Sequence, residues 1–211
     1  MQRIAIGYLS MGLLIAGLPV RSDIGDYPVQ TQDRGVQLAA EVLASDQVKN
    51  LFSTDLSKYL VVEVAVWPKT ELDVSAIDFS LRVDGSRSPI RPGSARTIAG
   101  VNQRRSLAKS GDVLLYPTVG VNTGSWGTGT NVGVGVGTGG GRPGPASTDR
   151  DRDTMEQELE ERGLPEGVTG KPVAGYLFFP LAGDRAKSYE LSFEPEGGAR
   201  LRLTLPMPKK R

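Results

Sequence analysis

Polar and apolar residues alternate along several short stretches of this chain, a pattern typical of β-strands that are buried on one face. The most apolar stretch covers residues 59–67, where β-branched residues dominate and the even positions from 60 to 66 fall on one face. We expect this strand to lie centrally in a sheet. Pro68 should end it, because proline has no N–H group to donate to a neighbouring strand.

The same alternation predicts strands over residues 36–42, 79–83, 189–194 and 199–205. Further strands are predicted over residues 88–91, 112–116 and 173–179, and the last of these is apolar on both faces. Short helices are expected after a cap at Ser45, over residues 94–101, and over residues 155–162, where Asp153 or Thr154 is the cap. The last of them should lie on an edge of the sandwich. Because this order lacks a βαβ repeat, we predict a mainly β, antiparallel sandwich of about seven strands with short helices.

Glycine occupies nearly every second position from residue 120 to residue 144. Such a segment has little side-chain surface to bury against the entropy of ordering it, so we predict a flexible, glycine-rich insertion over residues 117–150. Its one large aromatic residue either anchors a partner or a sugar, or folds back onto the sandwich. Its valines alternate with glycines, which suits binding by strand addition. The candidate partner-binding residues are therefore Trp126, Val132, Val134 and Val136.

The N-terminus has the layout of a secretory signal, in which one cation, Arg3, precedes an uncharged and mainly apolar run that ends before Arg21. We predict residues 1–21 to be a signal peptide or, if uncleaved, an N-terminal anchor and the sole contact with a membrane. The run is at the short end of the roughly 17 to 25 residues that span a bilayer. The protein should then be exported, and be periplasmic, bound to the cell envelope or secreted.

Changes in composition mark the remaining boundaries. Residues 22–35 are polar, with glycine and proline, and are predicted to be a tether. Residues 36–206 carry the strand pattern and form the predicted β-sandwich domain. Residues 207–211 end the chain as a basic tail.

Composition excludes several kinds of chemistry. The chain has no histidine and no cysteine, so it can form neither a Ser–His triad nor a thiolate metal site, and it has no disulfide. Its 25 basic and 24 acidic residues leave a net charge of +1, which is not the charge of a nucleic-acid-binding domain. We therefore expect no cofactor and no nucleic-acid partner.

Four acidic residues have the spacing of a calcium-binding loop. Asp149, Asp151, Asp153 and Glu160 stand at its positions 1, 3, 5 and 12 and are a weak calcium candidate. Thr154 occupies position 6, where such loops need glycine for a sharp turn, and arginines separate the aspartates. The favoured interpretation is a charged segment that leads into a helix.

Several strand sequences carry a resemblance to a known class of domain. They are residues 79–85 (Phe-Ser-Leu-Arg-Val-Asp-Gly), residues 173–181 (Val-Ala-Gly-Tyr-Leu-Phe-Phe-Pro-Leu), residues 189–193 (Tyr-Glu-Leu-Ser-Phe) and residues 201–206 (Leu-Arg-Leu-Thr-Leu-Pro). With the long insertion between them, they resemble immunoglobulin-like domains of uncharacterised bacterial envelope proteins. The resemblance covers about residues 36–206 and implies an immunoglobulin-like sandwich. It implies no catalytic or binding residue, and the cysteine pair of true immunoglobulin domains is absent.

These observations lead to two hypotheses about function. The first is a non-enzymatic, extracytoplasmic structural or protein-interaction module whose partner is another envelope protein. The alternative is a carbohydrate-binding domain or a carboxylate-based hydrolase that acts on envelope polysaccharide, because glycoside hydrolysis requires neither histidine nor cysteine.

Overall fold

The computed structural model describes residue 21 and residues 23–109, 113–124, 127–138, 149–181, 186–196, 198 and 200–207; from residue 107 to residue 138 it describes the backbone. The strands, in chain order, are β1 (Val29–Asp33), β2 (Val36–Val42), β3 (Tyr59–Pro68), β4 (Leu72–Val74), β5 (Phe79–Val83), β6 (Val113–Gly124), β7 (Gly127–Thr138), β8 (Gly167–Thr169), β9 (Val173–Pro180), β10 (Tyr189–Phe193) and β11 (Leu201–Leu205). The helices are α1 (Ser45–Leu51), α2 (Ala95–Lys109) and α3 (Asp149–Arg162), with 3-10 turns at Ile24–Asp26 and Ala76–Asp78.

The architecture is mainly β, and its named strand pairs are antiparallel. The first sheet has the order β1-β2-β3-β9, and the second has the order β11-β10-β5. The short strands β4 and β8 form a third sheet, and β6 and β7 form a separate hairpin. β3 lies between β2 and β9, so the prediction of a central strand over residues 59–67 is confirmed.

The first and second sheets share one hydrophobic core. The even-numbered residues 60–66 of β3 are buried in this core, as their alternation predicts. The second sheet contributes Phe79 and Phe193, whose stacked rings lie 4.4 Å apart between centroids. β11 buries its leucines here and exposes Arg202 and Thr204. A shift of one residue would turn those leucines to solvent, so the core fixes the register of β11.

The order of the strands differs from that of the immunoglobulin fold. If the short strands β4 and β8 and the β6–β7 hairpin are left out, seven strands remain for comparison. Their order along the chain is β1, β2, β3, β5, β9, β10 and β11. In an immunoglobulin constant domain, the third strand lies in one sheet with the sixth and the seventh. Here the third strand, β3, stays beside β2, and the fourth, β5, pairs with the sixth, β10. The antiparallel, mainly β class is confirmed, whereas the immunoglobulin-like topology is not.

The first sheet is also covered on its outer face by a layer of helices. Val61 of β3 and the rings of Tyr176 and Phe178 on β9 form a second buried cluster with Ile98 of α2 and Leu159 of α3. α3, which the sequence predicts on an edge of the sandwich, packs over β9, an edge strand of the first sheet. Because β9 is apolar on both faces, α3 packs Leu159 against the face of the sheet.

The N-terminal segment is part of the folded domain, which corrects the predicted tether over residues 22–35. β1 lies within this segment and pairs with β2 along its whole length. Tyr27 packs on three small residues of the first sheet, Ala39, Ala65 and Ala174. The polar β1 is ordered by edge pairing, and the alanines leave room for the tyrosine ring.

Two helices are longer than the sequence predicts. α2 continues to Lys109, and α3 begins at Asp149, so Asp153 and Thr154 lie inside the helix and do not cap it. The Thr154 hydroxyl donates to the carbonyl oxygen of Arg150, 2.9 Å away. Acidic residues in the first turn of a helix interact favourably with its dipole, which explains why this charged run is helical.

Two smaller predictions hold in part. α1 begins at Ser45, but its N-cap is Ala44, whose N–H donates to the side chain of Gln47 over 2.8 Å. In the predicted strand over residues 88–91, Ile90 alone pairs, in an isolated bridge with Leu81 of β5.

Gly175 on β9 provides a test of how closely the helical layer approaches the first sheet. A Cβ atom at this position would overlap the carbonyl oxygen of Gly163 and the backbone of Leu164, just after α3. We expect Gly175→Ala to lower the free energy of unfolding by about 2 kcal/mol or more, since overpacking against backbone has no easy relief. Urea denaturation measures this change.

The matched control is Gly100→Ala in α2, where an added Cβ meets nothing within 4 Å. Alanine is the better helix former there, so this variant should gain roughly 0.5–1 kcal/mol. Equal effects at the two positions would contradict the close packing described for Gly175.

Candidate interaction site

The glycine-rich segment forms a long antiparallel hairpin in which β6 and β7 pair along their full lengths of 12 residues each. The candidate residues Val132, Val134 and Val136 all lie on β7. Trp126 falls outside the described residues. Regular strand pairing therefore occupies much of the predicted insertion over residues 117–150, and its flexibility stays a prediction.

Pro117 determines which backbone groups of the hairpin point outward. Its partner on β7 is Val134. Because proline has no N–H, Pro117 and Val134 form a pair without hydrogen bonds between them. The pairs directly before and after it in the ladder are the hydrogen-bonded ones. By the alternation of an antiparallel ladder, the N–H and C=O groups of Val132, Val134 and Val136 point away from β6.

The two outer edges of the hairpin differ in what they offer another strand. The β6 edge contains Pro117, and proline on an edge strand is a common device against further pairing. β7 has neither proline nor a charged residue from Gly127 to Thr138. Of the two edges, β7 is the one that can accept an added strand along its length.

The helical layer holds both ends of the chain segment that contains the hairpin. This segment leaves from α2 and returns into α3. Gln103 of α2 donates to Asp149 of α3 over 3.2 Å, and Ile98 and Leu159 from these helices are fully buried in the same cluster. The hairpin is thus an insertion between two helices that are fixed to the first sheet.

Glu158 fastens α3 to the loop that follows α1. Its carboxylate accepts hydrogen bonds from the N–H and hydroxyl of Ser53 (2.7 and 2.8 Å) and from the N–H and hydroxyl of Thr54 (3.0 and 2.6 Å). Burial alone would raise the pKa of Glu158, but the hydrogen bonds from Thr54 and Ser53 lower it below its ordinary value. Sequence reasoning missed this contact because the partners lie 104 and 105 residues apart.

The calcium candidates all lie on α3 and do not form a loop. Asp149 and Asp153 are separated by about one helical turn, whereas Asp151 lies on the opposite side of the helix. Within the described part of the chain, no group of three or more acidic residues has a geometry that could hold a metal ion. The spacing that suits a calcium loop, with Glu160 at its last position, thus belongs here to a helix.

A pair of carboxylates lies on the outer face of the first sheet. Arg21 Nη2 contacts the carboxylates of Glu41 and Glu63, at 2.6 and 3.0 Å, and the Tyr27 hydroxyl donates to Glu63 over 3.0 Å. The Arg21 guanidinium also stacks on the Tyr27 ring, 4.3 Å from its centroid. Burial and the neighbouring Glu63 raise the pKa of Tyr27. Arg21 therefore belongs to the folded domain, although the predicted leader ends with it.

Two cavities lie on the helical side of the molecule. One, of about 730 Å³, lies between α3 and the segment that leads into α2, and its walls include Glu156, Glu160, Arg91 and Arg96. Another, of about 630 Å³, lies beside α1 and has mainly apolar walls that include Phe52. Neither is lined by the two carboxylates that Arg21 joins.

Comparisons with known proteins give weak similarities. No family model and no curated protein matches the chain. It is similar to a putative lipoprotein, ycdA, from Bacillus subtilis, with a TM-score of 0.38, 16% identity and 83% of this chain covered, and it spans 37% of that protein's length. It is also similar to a functionally unknown protein from Listeria monocytogenes, with a TM-score of 0.34, 12% identity, and 86% and 82% of the two chains covered.

These neighbours are uncharacterised bacterial proteins, and likenesses of this strength carry no conclusion about fold or function. Among the described helices, none is both long enough and apolar enough to cross a bilayer.

Glu158 makes the attachment of α3 dependent on pH. The pKa of this carboxyl is lowered in the folded protein, so its stabilisation is present above the ordinary value of 4.5 and is lost as the pH falls below it. At neutral pH, Glu158→Gln should lower the free energy of unfolding by about 1 kcal/mol. Denaturation curves at neutral pH and at pH about 3.5 measure both effects.

The variant should lose less stability than the wild type between these two pH values. Glu160→Gln, at an exposed position of the same helix, is the control and should change little. If the two variants lose stability equally, Glu158 is not the attachment described here.

Arg21 separates two carboxylates that stand directly opposite each other on β2 and β3. Arg21→Gln should therefore destabilise the domain by about 1–2 kcal/mol, because it leaves Glu41 and Glu63 facing each other without their cation. Thermal unfolding at low and high salt measures the change, and added salt should reduce it.

Arg34→Gln is the control, since Arg34 is 76% exposed and its contact with Asp33 spans 4.0 Å. It should be nearly neutral. An Arg21 variant as stable as the Arg34 variant at low salt would show that the cluster contributes nothing.

Proposed function

We propose that this chain is a non-enzymatic, extracytoplasmic protein-interaction module that binds its partner by strand addition to the outer edge of β7. The observation that carries the proposal is the direction of the backbone hydrogen-bonding groups along that edge. The N–H and C=O groups of Val132, Val134 and Val136 point away from β6, and no proline interrupts them.

The physical chemistry of strand addition suits this segment. Main-chain hydrogen bonds supply affinity, and alternate side chains supply specificity. Glycines alternate with the three valines, so the backbone of an incoming strand can approach closely while every second position still offers an apolar contact. The hairpin is inserted between α2 and α3, and the outer edge of β7 pairs with no other described strand.

Two further features support an extracytoplasmic, non-enzymatic role. The N-terminal residues have the pattern of an export signal. The chain lacks histidine and cysteine, the residue types that most often act as general base, metal ligand or nucleophile. A protein that lacks these residues, and whose β7 edge pairs with no other described strand, is better suited to binding than to catalysis.

A second candidate function has one observation in its favour. Glu156 and Glu160, about one helical turn apart on α3, both line the cavity of about 730 Å³. Carboxylates beside a groove are what a carbohydrate-binding or hydrolytic site for envelope polysaccharide would need. A glycan array and a hydrolysis screen distinguish the candidates, because the interaction module predicts no signal that depends on these two residues.

Proline substitutions on the two strands test the β7 edge directly. Val134→Pro removes an N–H that points outward, so it blocks strand addition without removing a bond to β6. In an affinity pull-down from envelope extract with the full chain as bait, partner capture should fall at least about tenfold, which corresponds to the loss of one or two backbone hydrogen bonds.

Val119→Pro is the matched control. Residue 119 pairs with Val132 and has the same outward register on β6, whose edge already contains Pro117. It should capture the partner as the wild type does. Unchanged capture by the Val134 variant would refute the proposed site.

A further inference from the structure

β7 has a nearly palindromic sequence. Residues 130–138 read Thr-Asn-Val-Gly-Val-Gly-Val-Gly-Thr, so each position matches its mirror position about Val134 except Asn131 and Gly137. In an antiparallel pair related by a two-fold axis, residue i lies opposite its mirror position in the other strand. Two copies of β7 centred on Val134 would therefore place valine opposite valine, glycine opposite glycine and threonine opposite threonine.

A two-fold axis through Val134 requires that the N–H and C=O groups of this residue point out of the hairpin, and the backbone of β7 meets this requirement. Because Pro117 pairs with Val134, the N–H and C=O groups of Val134 point outward from the hairpin. Two such residues on the axis form a hydrogen-bonded pair with each other. The groups of Val132 and Val136 point the same way and would bond to their mirror positions.

A hairpin of two strands is by itself marginally stable in water, and a third or fourth strand is the usual remedy. Pairing two copies along β7 gives a sheet of the order β6-β7-β7-β6. Both of its outer edges are then β6 edges that contain Pro117, so growth stops at two copies and no open fibre forms. Residues 113–138 contain no charged side chain, so no like charges oppose the approach.

We propose that the partner at the β7 edge is a second copy of this chain, joined in an antiparallel, two-fold symmetric pair centred on Val134. This inference rests on the proposed function, in which the β7 edge is the binding site. It adds the identity of the partner, the register and the stoichiometry.

Cysteine cross-linking tests the register, because the natural chain contains no cysteine. In a hydrogen-bonded antiparallel pair the Cα atoms lie about 5.5 Å apart, within the range that a disulfide can bridge. Val134→Cys should therefore give a cross-linked dimer of the full chain under mild oxidation. Val132→Cys should not give this dimer. In the proposed register residue 132 lies opposite residue 136 of the second copy, so the two cysteines are four residue positions of about 3.4 Å each apart along the strand.

Sedimentation equilibrium of the full chain tests the stoichiometry. The wild type and Val119→Pro should form dimers, and the dimer dissociation constant of Val134→Pro should be at least about tenfold higher. Circular dichroism should show the same thermal unfolding of the main domain in all three proteins, which separates loss of pairing from loss of fold.

The outcomes distinguish this inference from the function on which it rests. A monomeric wild type, or equal cross-linking at positions 132 and 134, overturns the second copy as partner. If Val134→Pro nevertheless abolishes capture of another protein from the extract, the β7 edge remains the binding site. If Val134→Pro changes neither self-association nor capture, both proposals are wrong.

Discussion

β3 and β9 are apolar on both faces, so the first sheet is stable only as the middle layer between two other layers. One face of these strands packs on the second sheet, and the other packs on the helices and on the N-terminal segment. Adjacent residues of these strands are therefore buried in different clusters. Val62 and Phe179 lie in the core between the two sheets, and their neighbours Val61 and Phe178 lie in the cluster under the helices. The second sheet, the helices and the N-terminal segment each cover one of these two faces.

The helical layer connects this constraint to the proposed binding site. Ile98 of α2 and Leu159 of α3 pack on the outer face of the sheet, and the four hydrogen bonds to Glu158 also hold α3 there. The segment between the two helices carries β6 and β7, which pair with each other in a sheet of their own. An inserted hairpin of this kind can specialise for binding while the layers of the domain keep it folded.

The sequence predicts the elements whose pattern is local. β2, β5, β10 and β11 alternate clearly enough to be located from the chain alone, and β3 and β9 are recognisable as continuous apolar runs. β1 is polar and gains its order from β2, and the short strands β4 and β8 have too few residues for a period to show. These elements depend on tertiary contacts that no local window contains.

The candidate site was predictable in its residues but not in its geometry. The alternation of valine with glycine singles out the three valines, and their position on an edge strand depends on pairing with β6. The outward direction of their amides depends on Pro117, which lies 17 positions from Val134 in the sequence. Sequence distance also hides the contact of Glu158 with Ser53 and Thr54 and the pairing of Glu41 with Glu63.

The central claim is that β7 has one bonded edge and one edge that binds a partner, and amide hydrogen exchange followed by NMR tests it residue by residue. In dilute protein, the amides of Gly133 and Gly135 should be protected by β6, and those of Val132, Val134 and Val136 should exchange quickly. Raising the protein concentration should slow exchange at the three valines and leave the glycines unchanged. Fast exchange at the three valines at every protein concentration, and also after a captured partner protein is added, would contradict the claim that this edge binds.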